Sequence, residues 1–359
     1  MALKKILFIS HDFDPQGAQR ALFNAATLLK EDYNISVAGL REGELQREYK
    51  KNGINTFIIS TSYKQSSLEA FDYIFINTIV LYPLFSKYEQ SFLRKKCILW
   101  IHESERDVYE DIFKFDVNVF KSLRNILFVS EASLRMYSDL IRAEASSAIV
   151  YPLNLKIKKN LKQNYKNRGK YFIPKNVILI STVGVVVKRK GQDDFIKSII
   201  PVLEMNKNVY AAIIGFNGVD LEFENHIRYL VGESGYSDRI LLVDQTDDVD
   251  KWYEMSDIFA FCPYIESKPV VIFEAMLHAL PIVSTSIYGI PEQITDNETG
   301  ILVPAGDTLA FSEAINFMII NKDLAKKMGE KAKEVALKIT SPELFKKRFI
   351  DIIEKNYES

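Results

Sequence analysis

The sequence predicts an α/β protein with two domains, each built around a parallel sheet that helices cover on both faces. Three observations support this fold class. The chain has 359 residues, more than twice a typical domain length of about 150. Short, continuously apolar runs recur along the whole chain, as in strands that are buried on both faces. Amphipathic, helix-like segments separate these runs, which is the order of elements in doubly wound folds.

Twelve strands are predicted, six in each half of the chain. Those of the first half cover residues 6–10, 35–40, 57–60, 73–77, 97–102 and 126–130. Those of the second half cover residues 177–184, 209–215, 240–244, 258–263, 282–286 and 301–304. Between them, periodic apolar positions predict helices such as 18–30, 192–206 and 309–321. A last amphipathic helix is predicted to begin after Ser341, which is suited to cap it.

The alternation of strands and helices breaks once, between residues 156 and 175. This segment has eight basic residues and no acidic one, and it lacks apolar periodicity. It predicts a basic linker between a first domain, residues 1–155, and a second domain, residues 176–336. We expect residues 337–359 to form a helix that packs back on the first domain. The charge of the linker fits a solvated segment or a contact with an anionic membrane surface, to which residues 94–96 would add.

The composition is that of an ordinary globular protein and narrows the class of partners. Lys and Arg number 46 and Asp and Glu 47, a net charge of −1, which argues against a nucleic-acid partner. Cys97 and Cys262 lie in apolar runs and are predicted to be buried thiols. No apolar stretch approaches the length that crosses a bilayer, and the first residues lack a signal peptide. We therefore expect a cytoplasmic protein.

Fingerprints of several large enzyme classes are absent, namely those of P-loop NTPases, dinucleotide-binding folds, HExxH metalloproteases and α/β-hydrolases. Two tripeptides, Asp12-Phe13-Asp14 and Asp248-Val249-Asp250, have the shape that holds a divalent cation in metal-dependent sugar transferases. Such a tripeptide is weak evidence, so we expect no metal site.

Polar and small residues follow several predicted strands, where open parallel sheets bind their ligands. In the first half, Gly17 stands at a helix start after one strand, and His102 follows another. In the second half, Gly184 and Gly215 follow two strands, and residues 188–191 (Lys-Arg-Lys-Gly) precede a helix. Taken alone, this charge run is more typical of a solvated surface.

The segment from residue 266 to residue 280 carries the most chemical information. Glu274 lies within an apolar helix, where a carboxylate is costly unless donors meet it. It lies either on a narrow exposed stripe or where it accepts hydrogen bonds from ligand hydroxyls, such as a ribose diol. Glu266 precedes the same helix, whose first amides, near Val270 and Val271, suit a diphosphate. Ser267 is a candidate cap, and Arg189 with Lys190 would add positive charge beside this site.

These motifs resemble those of the retaining GT-B glycosyltransferases of family 4, the glycosyl transferases group 1. The resemblance extends over essentially the whole chain. It rests on Gln16-Gly17-Ala18, Trp100-Ile101-His102-Glu103, Val183-Gly184, Arg189-Lys190-Gly191, Glu266 with Glu274, residues 280–285, Gly289-Ile290-Pro291-Glu292 and residues 298–304.

The resemblance implies a GT-B fold, with two Rossmann-like domains that face each other across a cleft. It also implies transfer of a sugar, with retention of configuration and without a metal, to a hydroxyl of a saccharide or lipid-linked acceptor. The donor would be a UDP-sugar or a GDP-sugar, and no resident cofactor is implied. The expected setting is the synthesis of a cell-surface polysaccharide or glycan, in the cytoplasm or at the inner face of the membrane.

Roles of single residues follow from the same resemblance. Glu266 would hold the donor sugar near its anomeric carbon, and Glu274 would bind the ribose. Lys190, with Arg189, would neutralise the leaving diphosphate, and His102 would lie by the donor sugar. The other expected donor-site positions are small or offer backbone amides or a hydroxyl: Gly17, Gly184, Gly215, Val270, Val271 and Thr285. Of these, Gly17 would let the first domain close on the diphosphate.

Two departures from the family pattern are visible. Val185 stands where many members have Arg, and Ser267-Lys268-Pro269 replaces a common Gly-Phe-Gly. The latter segment is expected to narrow the pocket. An inactive GT-B scaffold that serves as a partner subunit is therefore the alternative function. Two other enzyme classes share the fold, although the spacing of the two Glu residues argues against the epimerases, and a phosphorylase would need a lysine that binds pyridoxal phosphate.

Overall fold

The computed structural model describes residues 3–142, 146–149 and 164–355. The chain divides into two compact units. Unit 1 comprises Met1–Leu155 together with Ile339–Ser359, and unit 2 comprises Lys156–Lys338.

Unit 1 is built on a seven-stranded parallel sheet with the order β3-β2-β1-β4-β5-β6-β7. The strands β4 to β6 are buried along their whole length, as continuous apolar runs predict. The bounds of the strands are β1 Lys5–Ser10, β2 Asn34–Gly39, β3 Asn55–Ile58, β4 Tyr73–Asn77, β5 Cys97–Ile101, β6 Asn125–Phe128 and β7 Ser146–Ile149.

Helices cover both faces of this sheet. Along β1, Ile6 and Phe8 belong to one buried cluster, whereas Leu7 and Ile9 belong to another, because successive side chains of a strand point to opposite faces. The helices are α1 Gly17–Leu29, α2 Leu45–Lys51, α3 Tyr82–Phe85, α4 Gln90–Lys96, α5 Arg106–Phe113, α6 Val117–Ser122 and α7 Glu131–Met136, with single 3₁₀ turns at Gln65–Leu68 and Ile79–Leu81.

Unit 2 is built on a six-stranded parallel sheet with the order β10-β9-β8-β11-β12-β13. Its strands are β8 Ile178–Val183, β9 Val209–Phe216, β10 Ile240–Asp244, β11 Ile258–Phe261, β12 Ile282–Thr285 and β13 Ile301–Val303. Its helices are α8 Gln192–Met205, α9 Leu221–Glu233, α10 Val249–Met255, α11 Val270–Leu277, α12 Thr308–Ile320 and α13 Lys322–Ile339, with 3₁₀ turns at Tyr165–Tyr171, Lys188–Lys190 and Ile290–Glu292.

The last helix, α14 (Pro342–Lys355), belongs to the core of unit 1. Ser341 caps it, since its Oγ accepts a hydrogen bond from the amide of Leu344 at 3.2 Å. Phe349 is fully buried, and its ring centroid lies 5.2 Å from that of Trp100 on β5. The C-terminal helix therefore completes the hydrophobic cluster that covers one face of the first sheet.

All twelve predicted strands form, but two details were wrong. β3 covers residues 55–58 rather than 57–60, because this edge strand is only half-buried and its apolar pattern is weak. β7 was missed, since the sequence Ser-Ser-Ala-Ile of residues 146–149 has no extended apolar run.

The predicted basic linker needs a correction. Residues 156–163 lie outside the described part of the chain, but Tyr165–Tyr171 form a 3₁₀ helix within unit 2. The side chain of Arg168 is 1% exposed and donates hydrogen bonds to the carbonyl of Met255, at 3.0 Å and 2.5 Å, and to that of Val177 at 2.8 Å. It also pairs with Asp257 at 2.7 Å. Arg168 is thus a buried structural residue and not part of a solvated linker.

Candidate active site

Three charged side chains meet at the carboxyl edge of the unit 2 sheet. The strands β8 and β11 are neighbours, so the loops that follow them lie side by side. The first loop carries Arg189 and Lys190, and the second carries Glu266. Glu266 Oε1 accepts a hydrogen bond from Arg189 Nη1 at 2.9 Å and forms an ion pair with Lys190 Nζ. We call these three residues the charge cluster.

The members of the charge cluster differ in their exposure to solvent. The side chains of Glu266 and Lys190 are only 12% and 14% exposed, whereas that of Arg189 is 47% exposed. Burial lowers the pKa of Lys190, the carboxylate of Glu266 acts in the opposite direction, and Arg189 acts in the same direction as burial. One carboxylate and two cations leave a net charge of +1, which suits an anionic ligand.

Hydrogen bonds to main-chain carbonyls hold the two loops of the charge cluster together. The amide of Tyr264 donates to the carbonyl of Arg189 at 2.8 Å, and Cys262 Sγ donates to the carbonyl of Gly191 at 3.0 Å. Gly191 has a φ of +69°, and a Cβ there would lie 2.1 Å from the Cys262 carbonyl oxygen. Only glycine therefore allows this close approach.

The loop of Glu266 is also fixed on its other side. Thr285 Oγ1 donates to the carbonyl of Pro263 at 2.7 Å, and Gln293 Nε2 donates to that of Pro269 at 3.0 Å. Thr285 is 1% exposed. The side chain of Thr285 therefore supports the loop from within, and its place in the donor pocket stays a prediction.

The segment Ser267-Lys268-Pro269 does not narrow the site as expected. The side chain of Lys268 is fully buried, and its Nζ pairs with Glu292 Oε2 at 2.9 Å. This partner belongs to the Gly-Ile-Pro-Glu motif, so the lysine points into unit 2. Pro269 occupies the N-cap position of α11, one residue before the first turn, whereas Ser267 had been the candidate cap.

Helix α11 begins four residues after Glu266. Val270 and Val271 lie in its first turn, where backbone amides have no intrahelical acceptor, and both side chains are half-buried. Glu274 follows one turn later, on the same face as Val270 and Val271. Its carboxylate is half-buried and accepts a hydrogen bond from Tyr253 Oη at 2.9 Å. The helix thus carries amides suited to an anion and, one turn on, a carboxylate.

Two glycines lie at the ends of the neighbouring strands β8 and β9. Gly215 has a φ of +135°, and a Cβ there would lie 2.1 Å from the carbonyl oxygen of Gly184. By contrast, the nearest heavy atom to a Cβ on Gly184 would be 3.9 Å away. Gly215 is therefore required by the packing of the two loops, whereas Gly184 leaves open space beside the charge cluster's strand.

In unit 1, His102 lies at the corresponding edge of the sheet, directly after β5. Its Nε2 is 2.9 Å from Asn77 Oδ1, and burial lowers its pKa to about 3. The imidazole is therefore neutral near pH 7, with Nε2–H donating to an amide oxygen that can only accept. Asn77 Nδ2 in turn donates to the carbonyl of Ala18 at 3.1 Å. This chain of hydrogen bonds joins His102 to the start of α1, where Gly17 faces open space.

Glu103 was quoted in the sequence motif without a role, and the structure gives it one. Its Oε2 accepts hydrogen bonds from the amides of His102 at 3.0 Å and Ile79 at 3.2 Å. Burial raises its pKa to about 7. Between the two loops, Thr78 has a φ of +102°, an uncommon value for this residue type. Glu103 thus fixes the backbone that carries His102, and its position directly after a strand end was the available sequence feature.

Both Asp-X-Asp tripeptides are engaged within the protein. Asp12 accepts hydrogen bonds from Gln19 at 2.6 Å and from Arg41 at 3.1 Å. Asp248 pairs with Lys251, and Asp250 lies 3.4 Å from His278 Nε2. Within residues 3–142, 146–149 and 164–355, no group of three or more His, Cys, Asp and Glu side chains is arranged to hold a metal ion.

Two further sequence expectations concern thiols and membrane spans. Cys97 and Cys262 are free and buried, which confirms that prediction. In the part of the chain that the structure describes, no helix is both long enough and apolar enough to cross a bilayer.

One family model matches the domain that carries the charge cluster. Residues 163–335 match the family model of the glycosyl transferases group 1. This match covers just under half of the chain, and we call the segment the matched domain. Over 138 residues, the chain is 30% identical to the lipopolysaccharide core biosynthesis mannosyltransferase LpsB of Rhizobium meliloti, a match that covers 38% of this chain and 39% of LpsB. The chain thus spans well under half the length of that relative.

A second relative matches nearly the whole chain and not only the matched domain. It is the Campylobacter jejuni GalNAc-alpha-(1->4)-GalNAc-alpha-(1->3)-diNAcBac-PP-undecaprenol alpha-1,4-N-acetyl-D-galactosaminyltransferase. Its identity is 21% over 354 residues, which covers 92% of this chain and 93% of the relative.

Solved structures show the fold of the chain. Anabaena HepE, in complex with UDP and glucose, superposes with a TM-score of 0.84 at 16% identity, over 98% of this chain and 100% of HepE. WaaG, a glycosyltransferase involved in lipopolysaccharide biosynthesis, superposes with a TM-score of 0.72 at 16% identity, over 97% and 99% of the two chains. The chain therefore has the GT-B fold.

The structure brings together most, but not all, of the residues singled out from the sequence. In unit 2, Glu266 is in contact with Lys190 and Arg189, and the first turn of α11 with Glu274 follows. Gly17 and His102 lie in unit 1, linked through Asn77. Tyr253 and Glu103 were not assigned a site function from the sequence, because each depends on a partner that is distant along the chain or given by the backbone.

Proposed function

We propose that the protein is a retaining family 4 glycosyltransferase that moves a sugar from a nucleoside diphosphate sugar to a hydroxyl of a saccharide or lipid-linked acceptor. The observation that carries this proposal is the charge cluster, in which two cations lie beside one carboxylate four residues before the start of α11. Support comes from HepE, which was solved with UDP-glucose, and from LpsB and Staphylococcus aureus CapM, named for lipopolysaccharide core and capsular polysaccharide synthesis.

In this proposal, three groups of residues in unit 2 bind the three parts of the donor, namely the diphosphate, the ribose and the sugar. Lys190, Arg189 and the first amides of α11 hold the diphosphate, since fixed cations and a helix N-terminus both favour phosphate oxygens. Glu274 accepts hydrogen bonds from the ribose hydroxyls. Glu266 accepts hydrogen bonds from the sugar near its anomeric carbon.

The proposed reaction exchanges one bond at the anomeric carbon. The bond from this carbon to the diphosphate oxygen breaks, and a bond to the acceptor oxygen forms on the same face of the sugar. The acceptor proton passes to the leaving diphosphate. Lys190 and Arg189 stabilise the charge that develops on the diphosphate, a contribution of the oxyanion-hole type. Because two cations already meet that charge, we expect turnover to continue in the presence of a chelator.

His102 is the residue of unit 1 that we propose for the transfer step. Its imidazole is held in one orientation by Asn77, and its pKa of about 3 keeps it neutral at physiological pH. A neutral imidazole exchanges hydrogen bonds with sugar hydroxyls without attracting a free anion. Gly17 offers open backbone at the start of α1.

For the location, we propose the cytoplasm with peripheral contact at the inner face of the membrane, where a lipid-linked acceptor would be reached. Arg94 and Lys95 are exposed on α4 and are the described residues that would make this contact. Lys96 is not available for it, because its Nζ donates to the carbonyls of Glu69 and Phe71. Sedimentation with anionic vesicles should weaken in Arg94→Glu/Lys95→Glu, and unchanged sedimentation contradicts this location.

The test is a thermal-shift titration with UDP, GDP, ADP and their common sugar conjugates, followed by NMR of the product. A ligand at 100 times its dissociation constant adds about 2.7 kcal/mol to the free energy of unfolding, so one nucleotide should raise Tm by a few degrees. With its sugar conjugate as donor, the anomeric configuration of the product should match that of the donor. No shift with any nucleotide, or an inverted product, contradicts the proposal.

A further inference from the structure

Tyr253 is a buried hydroxyl donor directed at Glu274. It lies on α10, its side chain is almost fully buried, and its Oη donates to Glu274 Oε2 at 2.9 Å. Packing fixes the ring, whose centroid lies 5.7 Å from that of Phe259 and 5.2 Å from that of His278. The hydroxyl is therefore held in one place by the core of unit 2.

The helix that carries Tyr253 is also fixed relative to α11. Asp250 on α10 lies 3.4 Å from the Nε2 of His278, which directly follows α11. Tyr253 Oη is also within 3.5 Å of the carbonyl of Val271 in the first turn. Contacts at both ends of α11 thus involve one face of α10.

In the hydrogen bond between Tyr253 and Glu274, the tyrosine is always the donor. Burial raises the pKa of the Tyr253 hydroxyl well above its usual value, and the carboxylates of Glu274 and Asp250 raise it further. The phenol therefore keeps its proton and can only act as a donor toward Glu274. A carboxylate offers about four acceptor positions on its two oxygens, so Glu274 can accept from ligand hydroxyls while it keeps the bond from Tyr253.

We propose that Tyr253 is a positioning residue for ribose recognition: it orients the carboxylate of Glu274 so that this group accepts hydrogen bonds from the 2′ and 3′ hydroxyls of the nucleotide. This inference rests on the proposed function, in which Glu274 binds the ribose. Glu274 has a long side chain among apolar residues of α11, and the bond from Tyr253 selects one of its rotamers before the ligand arrives. Such pre-organisation raises affinity without a contact between Tyr253 and the ligand.

Unit 2 contains a matched control for this pair. Tyr165 Oη donates to Asp257 Oδ1 at 2.9 Å, the same distance and chemistry as at Glu274. Asp257 also accepts from Arg168 at 2.7 Å and from the amide of Leu179 at 2.7 Å. This carboxylate is committed to the structure at the other end of β8, so Tyr165→Phe removes a comparable bond outside the nucleotide site.

The test is calorimetric binding of UDP and 2′,3′-dideoxy-UDP to the full chain and its variants, with GDP and ADP pairs if UDP does not bind. Tyr253→Phe should weaken UDP binding about 5- to 20-fold, as expected for one hydrogen bond to a charged group. The affinity for dideoxy-UDP should stay within about twofold, because that ligand lacks both hydroxyls. Tyr165→Phe should change neither affinity. In a transfer assay, Tyr253→Phe should raise the donor KM and leave kcat nearly unchanged, the pattern of lost ground-state binding.

A double-mutant comparison separates positioning from a general loss of structure. In the Glu274→Gln background, adding Tyr253→Phe should cause little further loss of UDP affinity, since both changes act on the same contact. Equal losses for UDP and dideoxy-UDP, or no loss for either, overturn the role of Tyr253 while nucleotide binding itself stands. If no ribonucleoside diphosphate binds the wild type, the proposed function fails first, and this inference with it.

Discussion

Both units place polar side chains at the carboxyl edge of their sheets. These side chains are neutral in unit 1 and charged in unit 2. In unit 1, His102 and Glu103 follow β5, and burial moves the pKa of the imidazole down to about 3 and that of the carboxyl up to about 7. Both changes favour the neutral form. In unit 2, Lys190 and Glu266 are similarly enclosed, yet they pair as ions.

The difference follows from the partners available to each group. His102 faces the amide of Asn77, and Glu103 faces two backbone amides, neither of which supplies a full opposite charge. Lys190 faces the carboxylate of Glu266. Burial without a counter-charge selects the neutral form, whereas burial with one retains both charges. The unit 2 edge is therefore suited to an anion and the unit 1 edge to neutral hydroxyls.

The largest expected effect comes from removing the buried cation of the charge cluster. Lys190→Ala should lower kcat/KM about 10³-fold, the upper range for the loss of one group that stabilises developing charge. Lys188→Ala is the control, since this exposed lysine lies in the same 3₁₀ turn and should leave kcat/KM within about twofold. Steady-state kinetics of both variants, with an identified donor, measure the effect. Equal losses in the two variants would contradict a specific role for Lys190.

Glu266→Gln should separate transfer from nucleotide binding. We expect kcat to fall about 10²-fold, because the proposed contact with the donor sugar is lost. The affinity for the nucleoside diphosphate should rise several-fold, since Arg189 and Lys190 no longer share their charge with a carboxylate. Calorimetry gives the affinity and a transfer assay gives kcat. A weaker affinity for the diphosphate would show that Glu266 helps to form the phosphate site, and would contradict the view that it only neutralises part of the charge of Arg189 and Lys190.

Lys268 is a buried cation of unit 2 that lies outside the charge cluster, so Lys268→Met can be compared directly with a change at Lys190. This variant leaves Glu292 without its lysine, so the free energy of unfolding should fall by about 2 kcal/mol, somewhat less than for a fully buried pair. Nucleotide affinity should stay within about twofold. Denaturant unfolding and calorimetry, run beside Lys190→Met, should give opposite patterns for the two lysines. A large loss of affinity in Lys268→Met would place that pair in the binding site.

In unit 1, the expected effect is a pH dependence of stability in which two contributions largely cancel. The pKa of His102 is lowered from 6.5 to about 3, so its contribution is present above pH 6.5 and is lost as the pH falls. The pKa of Glu103 is raised from 4.5 to about 7, so its contribution is present below pH 4.5 and is lost as the pH rises. Between pH 4.5 and 6.5 the two slopes oppose each other, each being at most about 1.4 kcal/mol per pH unit.

Glu103→Gln removes one of these opposing slopes. The free energy of unfolding of the variant should then rise with pH between 4.5 and 6.5, relative to the wild type. Denaturant unfolding at several pH values measures the difference between the two proteins. A difference that does not vary with pH would contradict a carboxyl with a raised pKa at this position.

The strands that are most buried were the ones that the sequence predicted best. Strands enclosed on both faces, such as β4 and β5, are continuous apolar runs and were located from the sequence. β7 was missed because Ser146 and Ser147 interrupt any such run. Arg168 was assigned to a solvated linker because composition records its charge but not the carbonyls of Met255 and Val177 that surround it.

The candidate site was predictable where its chemistry belongs to a local motif. Glu266 and Glu274 were found from their spacing and helix context, and Lys190 from its position after a strand. The contact between Lys190 and Glu266 joins residues 76 positions apart and depends on β8 lying beside β11. The contacts of Lys268 and Tyr253 could not be predicted, because their partners lie 24 and 21 positions along the chain.

The most direct test of the central claim is calorimetric binding of the preferred nucleoside diphosphate, and of the same nucleoside without phosphates, to the wild type and Lys190→Ala. The account predicts that the variant loses at least tenfold in affinity for the diphosphate and nothing for the nucleoside. Equal affinity of both proteins for the diphosphate would show that the charge cluster of unit 2 is not a diphosphate site.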